Sequence, residues 1–524
     1  MPHPPGTPLF VTAARAWTVT LGTAFTPAFA TNLLSAACTA AACGLLATLL
    51  ARWTGDRAAG FAGGVSAGVL ATVWRNATET EVYAAALLLA AAALWAADRA
   101  GRTESRRPLL LAAYLLALAV PLHPFALVAA PAVILLAALP PTMRPRPAAL
   151  LHLGGGVALA MALGTARPLL AAGGALLLAG GVALDARAGI PRRGLGTAFA
   201  MLALVALAAS ALAVLRVRAG FDPALNQGNP GSWATAVDAV ARRQYAVAGP
   251  WPRQAPLWLQ LGNVLEWADW QVALGLAPGV SPAWTRTPIT IIWALLAVAG
   301  ARAHRRADRR SWLALLALLV AGSVGVVLQL NLKAGPSFGW GILPDTAARE
   351  ARERDYFFVL AFWAWGAWAA LGAVTLSRRR LGGRAWPGVA VALLPIALNW
   401  RAADRRGGPH PQLARDAALA VLTSAPARSV VLTAGDNDTY PVWYLQQVER
   451  VRRDVIVIPV SLLPAGWYRA ELARRWALGE GGAWMGSAAA LRALARDAER
   501  QGRPVSTTLG VAARERAMLG RRWS

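Results

Sequence analysis

The sequence predicts a polytopic α-helical membrane protein, about a dozen helices long, followed by a small water-soluble α/β domain. Three observations carry this. Apolar blocks of about 15–22 residues, nearly free of charge, recur through the first three-quarters of the chain, and a helix needs about 20 apolar residues to cross a hydrocarbon core of about 30 Å. Arginines gather in every second loop between those blocks. Beyond residue 402 the chain turns polar and alternates short strands with helices.

Composition agrees. Of 524 residues, 56% are hydrophobic and the mean hydropathy is +0.44. The formal charge of +26 comes from 52 basic and 26 acidic residues. A basic chain invites a nucleic-acid reading, but cations placed in short loops between apolar blocks fit membrane orientation instead. Lys333 is the only lysine. Cys38 and Cys43 lie five apart in one apolar block, so they do not face each other on a helix and define neither a disulfide framework nor a zinc site. No metal, cofactor or nucleic acid is expected.

The apolar spans read as 30–51, 60–75, 82–97, 109–121, 124–139, 150–166, 168–184, 197–215, 288–303, 311–330, 356–376 and 386–400. Short loops that bear Arg52, Arg102, Arg144, Arg192, Arg305 and Arg379 fall at alternate positions along the series of spans. The positive-inside rule places these loops in the cytoplasm. The N-terminal segment, Trp74–Glu81, the long 216–287 loop, the 331–354 loop and everything after 401 then face outward. The expected setting is the inner (plasma) membrane, with domains 1–401 and 402–524 and the second domain extracytoplasmic. Long loops usually carry function.

In the C-terminal domain, Ser429–Leu432, Asp454–Val460 and Arg503–Thr507 read as strands and the stretches between them as helices, the order of a parallel sheet covered by helices. Gly435-Asp436-Asn437-Asp438-Thr439 falls at the carboxyl end of a strand. That is where open α/β sheets bind ligands, and equally where Asp and Asn form turns and cap helices.

Five segments together resemble one family. They are His3-Pro4-Pro5-Gly6-Thr7-Pro8-Leu9-Phe10; Trp74 with Glu81-Val82-Tyr83-Ala84; Arg243-Gln244-Tyr245; Asn331-Leu332-Lys333-Ala334-Gly335 followed by Glu350 to Phe358; and Asp436-Asn437-Asp438-Thr439 with Trp443-Tyr444-Leu445-Gln446. Their order is similar to that of the domain-of-unknown-function 2723 family, bacterial relatives of the transmembrane protein O-mannosyltransferases (glycosyltransferase family 117). The resemblance implies a GT-C glycosyltransferase fold. It further implies a sugar, such as mannose, taken from a polyprenyl-phosphate carrier and passed to a protein or glycan hydroxyl at the outer face. One departure accompanies it. The family has a first membrane helix and an acidic motif before the His-Pro-Pro-Gly segment, and related enzymes place the catalytic carboxylate there. This chain begins at Met1-Pro2-His3, so an N-terminal truncation that removes that carboxylate is expected.

Transfer to a hydroxyl needs a carboxylate to take the proton and cations to hold the leaving phosphate. Glu81, at the start of an apolar helix, is the candidate base or acceptor-positioning group, against a plain helix-terminal charge. Asp355 is the second candidate catalytic carboxylate. Arg352 and Arg354, leading into Tyr356-Phe357-Phe358, form a candidate phosphate clamp, against an interfacial belt. Lys333, Arg243 and Tyr245 are further substrate-binding candidates, and so are Asp436 and Asp438. His3 joins them through the opening motif, although His3 and His123 each precede a proline and read as structural. Two competing functions stand beside the transferase: a transporter or lipid-carrier flippase, and a non-catalytic membrane scaffold.

Overall fold

The computed structural model describes residues 4–245, 248–279, 281–406, 412–479 and 487–519. The chain divides into two compact units. One comprises 7–214 and 245–404; the other comprises 1–6, 215–244 and 405–524.

Each apolar block of the larger unit becomes helix. Eight helices are long and apolar enough to cross a membrane: Pro27–Thr54, Val82–Thr103, Pro147–Thr165, Pro168–Arg187, Pro191–Gly220, Thr287–Ala307, Arg309–Leu330 and Asp355–Arg380. The protein is a multi-pass membrane protein. The other four expected spans are shorter or broken. The 60–75 block splits into Arg57–Gly68 and Ala71–Ala77, and the 109–121 block into Arg106–Ala117 and Ala119–Leu122. Pro124 starts a 3-10 turn that continues into Ala130–Ala138, and Trp386–Ala403 carries Pro395 inside it.

Local chemistry explains the helix starts. Pro27, Pro147, Pro168 and Pro191 each open a helix, where a missing N–H costs nothing. Asp56 Oδ1 accepts the Ala58 and Ala59 amides at 2.9 and 3.2 Å, and Asp308 Oδ1 accepts those of Arg310 and Ser311 at 3.0 and 3.2 Å. Each carboxylate satisfies two of the donors that a helix start leaves open.

The Asp355–Arg380 segment is the central post, with 89% of its apolar stretch buried; Pro168–Arg187 is peripheral, with 17%. Small residues set the approach of the neighbouring helices. A Cβ on Gly300 would lie 1.9 Å from the Trp368 carbonyl oxygen, and one on Gly372 would lie 1.9 Å from that of Leu296. The Thr287–Ala307 and Val359–Arg380 helices therefore meet backbone to backbone, the close packing that small residues permit in membranes.

A charged knot closes one end of this unit. Asp98 has no exposed surface. Its Oδ1 accepts Arg310 Nη1 at 2.7 Å, Trp53 Nε1 at 3.0 Å and Arg102 Nε at 3.1 Å, and its Oδ2 accepts Arg52 Nη1 at 3.0 Å. Arg102 also reaches Asp308 at 3.0 Å, and Arg310 donates to the carbonyls of Leu136, Leu139 and Asp98. Four helices are thereby joined. At another point Asn399, also fully buried, accepts the Leu274 amide and donates to the carbonyls of Val69 and Gln271. Val69 lies in the break between two short helices, so the side chain covers a carbonyl that the break frees.

The smaller unit holds a three-stranded parallel sheet of β1 (Val430–Thr433), β2 (Ile456–Pro459) and β3 (Val505–Thr507), in the order β2-β1-β3. Val430 pairs with Ile456 on one side and with Val505 on the other. Alternate residues of β1 feed two cores. Val430 and Leu432 pack with Tyr468, Leu472, Leu491 and Leu494, while Val431 packs with Leu422, Val442 and Leu445. Both faces of the sheet are covered, which is the usual state of a parallel sheet. The helix after β1 runs Gly435–Gln447, so the Gly435-Asp436-Asn437-Asp438-Thr439 segment forms its first turn.

Asp98→Ala should lower stability by about 3–5 kcal/mol, because it leaves buried Arg310 uncompensated. Arg52→Ala should cost about 0–1 kcal/mol, because that side chain is 42% exposed. Thermal unfolding in detergent checks the ranking, and equal costs would refute it.

Candidate functional site

The candidate residues of the larger unit converge where several helices end. Glu81 is the N-cap residue of the Val82–Thr103 helix, and its amide donates to Ser35 Oγ at 3.3 Å. Burial pushes the Glu81 carboxyl above the ordinary carboxylate range, and the positive charge of Arg352 opposes that shift. Two residues on, Tyr83 packs on Tyr356 with ring centroids 5.2 Å apart, and on His123 and Phe125 at 4.9 and 5.2 Å. This aromatic floor links the helix that carries Glu81 to the segment that carries the arginines.

Arg352 is exposed, with its guanidinium 5.1 Å from the Tyr356 ring centroid. Arg354 Nη1 donates to the Tyr356 hydroxyl at 2.6 Å, and Arg354 Nε donates to Glu350 Oε2 at 3.0 Å. The other oxygen of Glu350 accepts the Lys333 amide at 3.0 Å. Glu350 therefore ties Arg354 to the segment bearing the chain's one lysine. Lys333 also lines a cavity of about 10 Å³, the space of a single water, with Gln260, Asn263 and Trp267.

Asp355 plays a different structural part. It is 8% exposed, and its Oδ2 accepts the Thr72 hydroxyl at 2.5 Å. Gln271 Nε2 donates to the same Thr72 oxygen at 2.8 Å, and Gln271 Oε1 accepts the Thr72 amide at 3.1 Å. The network fixes the 3-10 turn Asp355–Phe358, and hence the entry of the two arginines into the central helix.

The 331–354 loop is held by its own contacts. Asn331 ends the preceding helix with φ 48°. Its Nδ2 donates to the carbonyls of Gly249 and Pro252, and its Oδ1 accepts the Gln254 amide at 2.8 Å. Arg253 donates to the carbonyls of Val327 and Leu328 at 2.8 and 2.9 Å. Ser337 Oγ lies 2.6 Å from Glu353 Oε1 and 3.0 Å from Glu266 Oε2, and Trp267 Nε1 donates to the remaining Glu353 oxygen at 2.8 Å. Burial pushes the Glu266 carboxyl upward; the Ser337 hydroxyl opposes this, and the nearby Glu353 carboxylate adds to it.

Glu81, Lys333, Arg352 and Arg354 thus come together. Tyr245 belongs to the same unit and is 42% exposed. Arg243, Asp436 and Asp438 belong to the smaller unit. Arg243 pairs with Asp238 at 2.6 Å on the surface. Asp436 and Asp438 lie in the first turn of the helix after β1. Asp438 Oδ2 accepts the Thr508 hydroxyl and the Ala434 amide, joining that turn to the end of β3, while Asp436 is exposed. His3 lies outside the described residues. Sequence reasoning missed Glu350 as the bridge, and it missed Asn331, Arg253 and Ser337. The one signal available for Asn331 was its place before Leu332-Lys333 at the end of an apolar span.

The fold and site together define a multi-pass membrane protein with a cationic, aromatic-floored cluster at its helix ends. Residues 1–143 match the family model for the protein O-mannosyl-transferase TMEM260 N-terminal domain, and residues 414–480 match TMEM260-associated domain 2. Among solved structures, the archaeal oligosaccharyltransferase AglB from Archaeoglobus fulgidus, in complex with an inhibitory peptide and a dolichol-phosphate, is similar over 89% of this chain at 12% identity and a TM-score of 0.44. The chain spans 60% of the length of that structure. A likeness of that degree carries no statement about activity. No curated protein matches the chain at a significant level.

Two outcomes follow from the loop geometry. Asn331→Ala removes four side-chain hydrogen bonds and leaves an alanine, which lacks the local polar contacts that make asparagine tolerable there, at positive φ. It should weaken protection of the 331–354 backbone by at least about 2 kcal/mol, read by amide hydrogen exchange, and unchanged exchange would contradict the anchoring role. The raised carboxyl of Glu266 makes its contribution to stability greatest below the ordinary carboxyl pKa and lost as pH rises through the raised value. Glu266→Gln, neutral at every pH, should flatten that decline in thermal scans.

Proposed function

We propose that the chain is a membrane glycosyltransferase of GT-C type that moves a sugar from a polyprenyl-phosphate carrier to a hydroxyl of a protein or glycan. The observation that carries the proposal is the joining of Glu81, Arg352, Arg354 and Lys333 at one set of helix ends, where a half-buried carboxylate of raised pKa lies within the field of an arginine. The family-model match over residues 1–143, which includes Glu81, supports it.

In this reading Glu81 is the general base. Burial makes its carboxylate a stronger proton acceptor than one in water, suited to the acceptor hydroxyl. As the bond between the sugar and the carrier phosphate breaks, negative charge grows on the phosphate. Arg352, exposed above the Tyr356 ring, and Lys333 meet that charge, while Arg354 positions the Tyr356 ring and the Glu350 bridge. Asp355 acts through position, holding the arginine segment through Thr72. We place the reaction at the outer face, with the 402–524 domain outside, from the alternation of arginine-bearing loops. Arg243, Tyr245, Asp436 and Asp438 remain candidates for contacts with the acceptor or carrier.

Purified full-length chain incubated with polyprenyl-phosphate-mannose and a serine- and threonine-bearing peptide should transfer sugar. Glu81→Gln should lower kcat/KM by about 10²-fold or more. Transfer needs Glu81 deprotonated, so activity should fall as pH drops through its raised pKa. Arg352→Gln, by removing the opposing charge, should move that acid limb to higher pH. Full activity in Glu81→Gln and Arg354→Ala, both expressed normally, would defeat the site assignment.

A further inference from the structure

We infer a binding site for the phosphodiester headgroup of an anionic phospholipid in a cleft formed by the Arg106–Ala117, Pro147–Thr165, Pro168–Arg187 and Pro191–Ser210 helices. The cleft has a volume of about 390 Å³. It lies where the Arg106, Arg144–Arg146 and Arg187–Arg193 loops meet, the opposite end of these helices from the Thr165–Pro168 turn.

Arg106, Arg146 and Arg193 line it. Most of their hydrogen bonds go to neutral carbonyl groups. Arg106 Nη2 donates to Gly196 O, Arg146 donates to Ala100 O and Glu104 O at 3.4 and 3.3 Å, and Arg193 donates to Glu104 O at 3.4 Å. Carbonyls orient a guanidinium without neutralising it. Of the two carboxylates in the lining, Asp185 is engaged by His152 Nε2 at 3.0 Å, and Glu104 reaches Arg146 Nε at 3.8 Å. Among the described residues neither Arg106 nor Arg193 has a carboxylate within ion-pair distance. Arg106 Nε is moreover a buried donor with no acceptor. Burial pushes the Arg146 guanidinium below its ordinary range; the Glu104 and Asp185 carboxylates oppose that shift and the Arg193 charge adds to it. Three arginines against two carboxylates leave one positive charge over, and the two arginines that meet only carbonyls are open to an anion; guanidiniums grip phosphate oxygens in pairs.

The surroundings favour a lipid over a free ion. Leu195 and Phe199, one turn apart on the Pro191–Ser210 helix, are 60% and 74% exposed. Leu176 on the adjoining helix is 74% exposed. In a multi-pass protein these apolar faces lie against acyl chains, so a headgroup in the cleft would keep its own chains on them. Basic pockets between membrane helices bind anionic headgroups by this division of labour.

The test uses full-length protein in a neutral detergent, with phosphatidylglycerol, phosphatidylcholine or inorganic phosphate added, and thermal unfolding as the readout. Phosphatidylglycerol should raise the unfolding midpoint well above phosphatidylcholine. Arg193→Gln should weaken the apparent affinity about fivefold, and Arg106→Gln/Arg193→Gln should abolish the preference. Arg379→Gln/Arg380→Gln, exposed arginines of another loop, should leave it intact. Should the double variant fail to fold, Arg193→Gln carries the test, because that exposed side chain makes one carbonyl bond. Equal effects of the two lipids, or an apparent affinity for phosphatidylglycerol left unchanged by Arg193→Gln, would overturn the site. Equal protection by inorganic phosphate alone would overturn the lipid assignment.

Discussion

Asp98 is the constraint on which the helical unit depends. A carboxylate with no exposed surface costs several kcal/mol unless every lone pair is answered, and this one is answered by three arginines and a tryptophan. Meeting that demand fixes the relative positions of the helices that bring Arg52, Arg102 and Arg310. The same knot continues through the packing. Trp53 stacks on His304 at 5.6 Å, His304 bonds Ser311 at 2.8 Å, and Trp368 of the central helix donates to His304 at 3.1 Å.

The consequence reaches the candidate site. Glu81 and Asp98 stand at the two ends of one helix, about 25 Å apart at 1.5 Å per residue. Arg310 starts the segment whose other end delivers Asn331 and Lys333. Trp368 belongs to the helix that the Arg352–Phe358 segment enters. Pinning one end of three elements therefore limits where their other ends go. At that far end the charges are held by a second layer: Glu350 for Arg354, Thr72 and Gln271 for Asp355, and Ser337 between Glu266 and Glu353. The groups left open to solvent or ligand are the ones suited to phosphate, above all Arg352.

The two arginine-rich regions show how one residue type serves different ends. Arg310 is 1% exposed and neutralises a carboxylate. Arg106 and Arg193 meet carbonyls only, and keep their charge available. Composition and loop position are alike in the two cases. The difference is whether a carboxylate from a distant helix arrives.

Much of the architecture was legible in the sequence because it rests on local chemistry. Apolar length gave the helices, arginine spacing gave an expected orientation, and β-branched runs marked β1 and β2. Lys333, Arg352 and Arg354 could be singled out because a charge beside an aromatic or apolar boundary is costly and therefore conspicuous. The break near His123 was marked by its flanking prolines, while the one near Val69 was less visible, since it depends on Asn399 from a distant helix to cover the freed carbonyl. Asp98 was hidden inside an Ala-rich block, and its arginines looked like ordinary loop charges. Glu350 and Ser337 carried no local sign of bridging. What the sequence determined by itself was the kind of element at each position, because periodicity and hydropathy act over a few residues. What only the tertiary structure decided was which charges are consumed by pairing and which remain free, because that depends on groups from helices distant in the chain meeting in a medium that tolerates no unpaired ion.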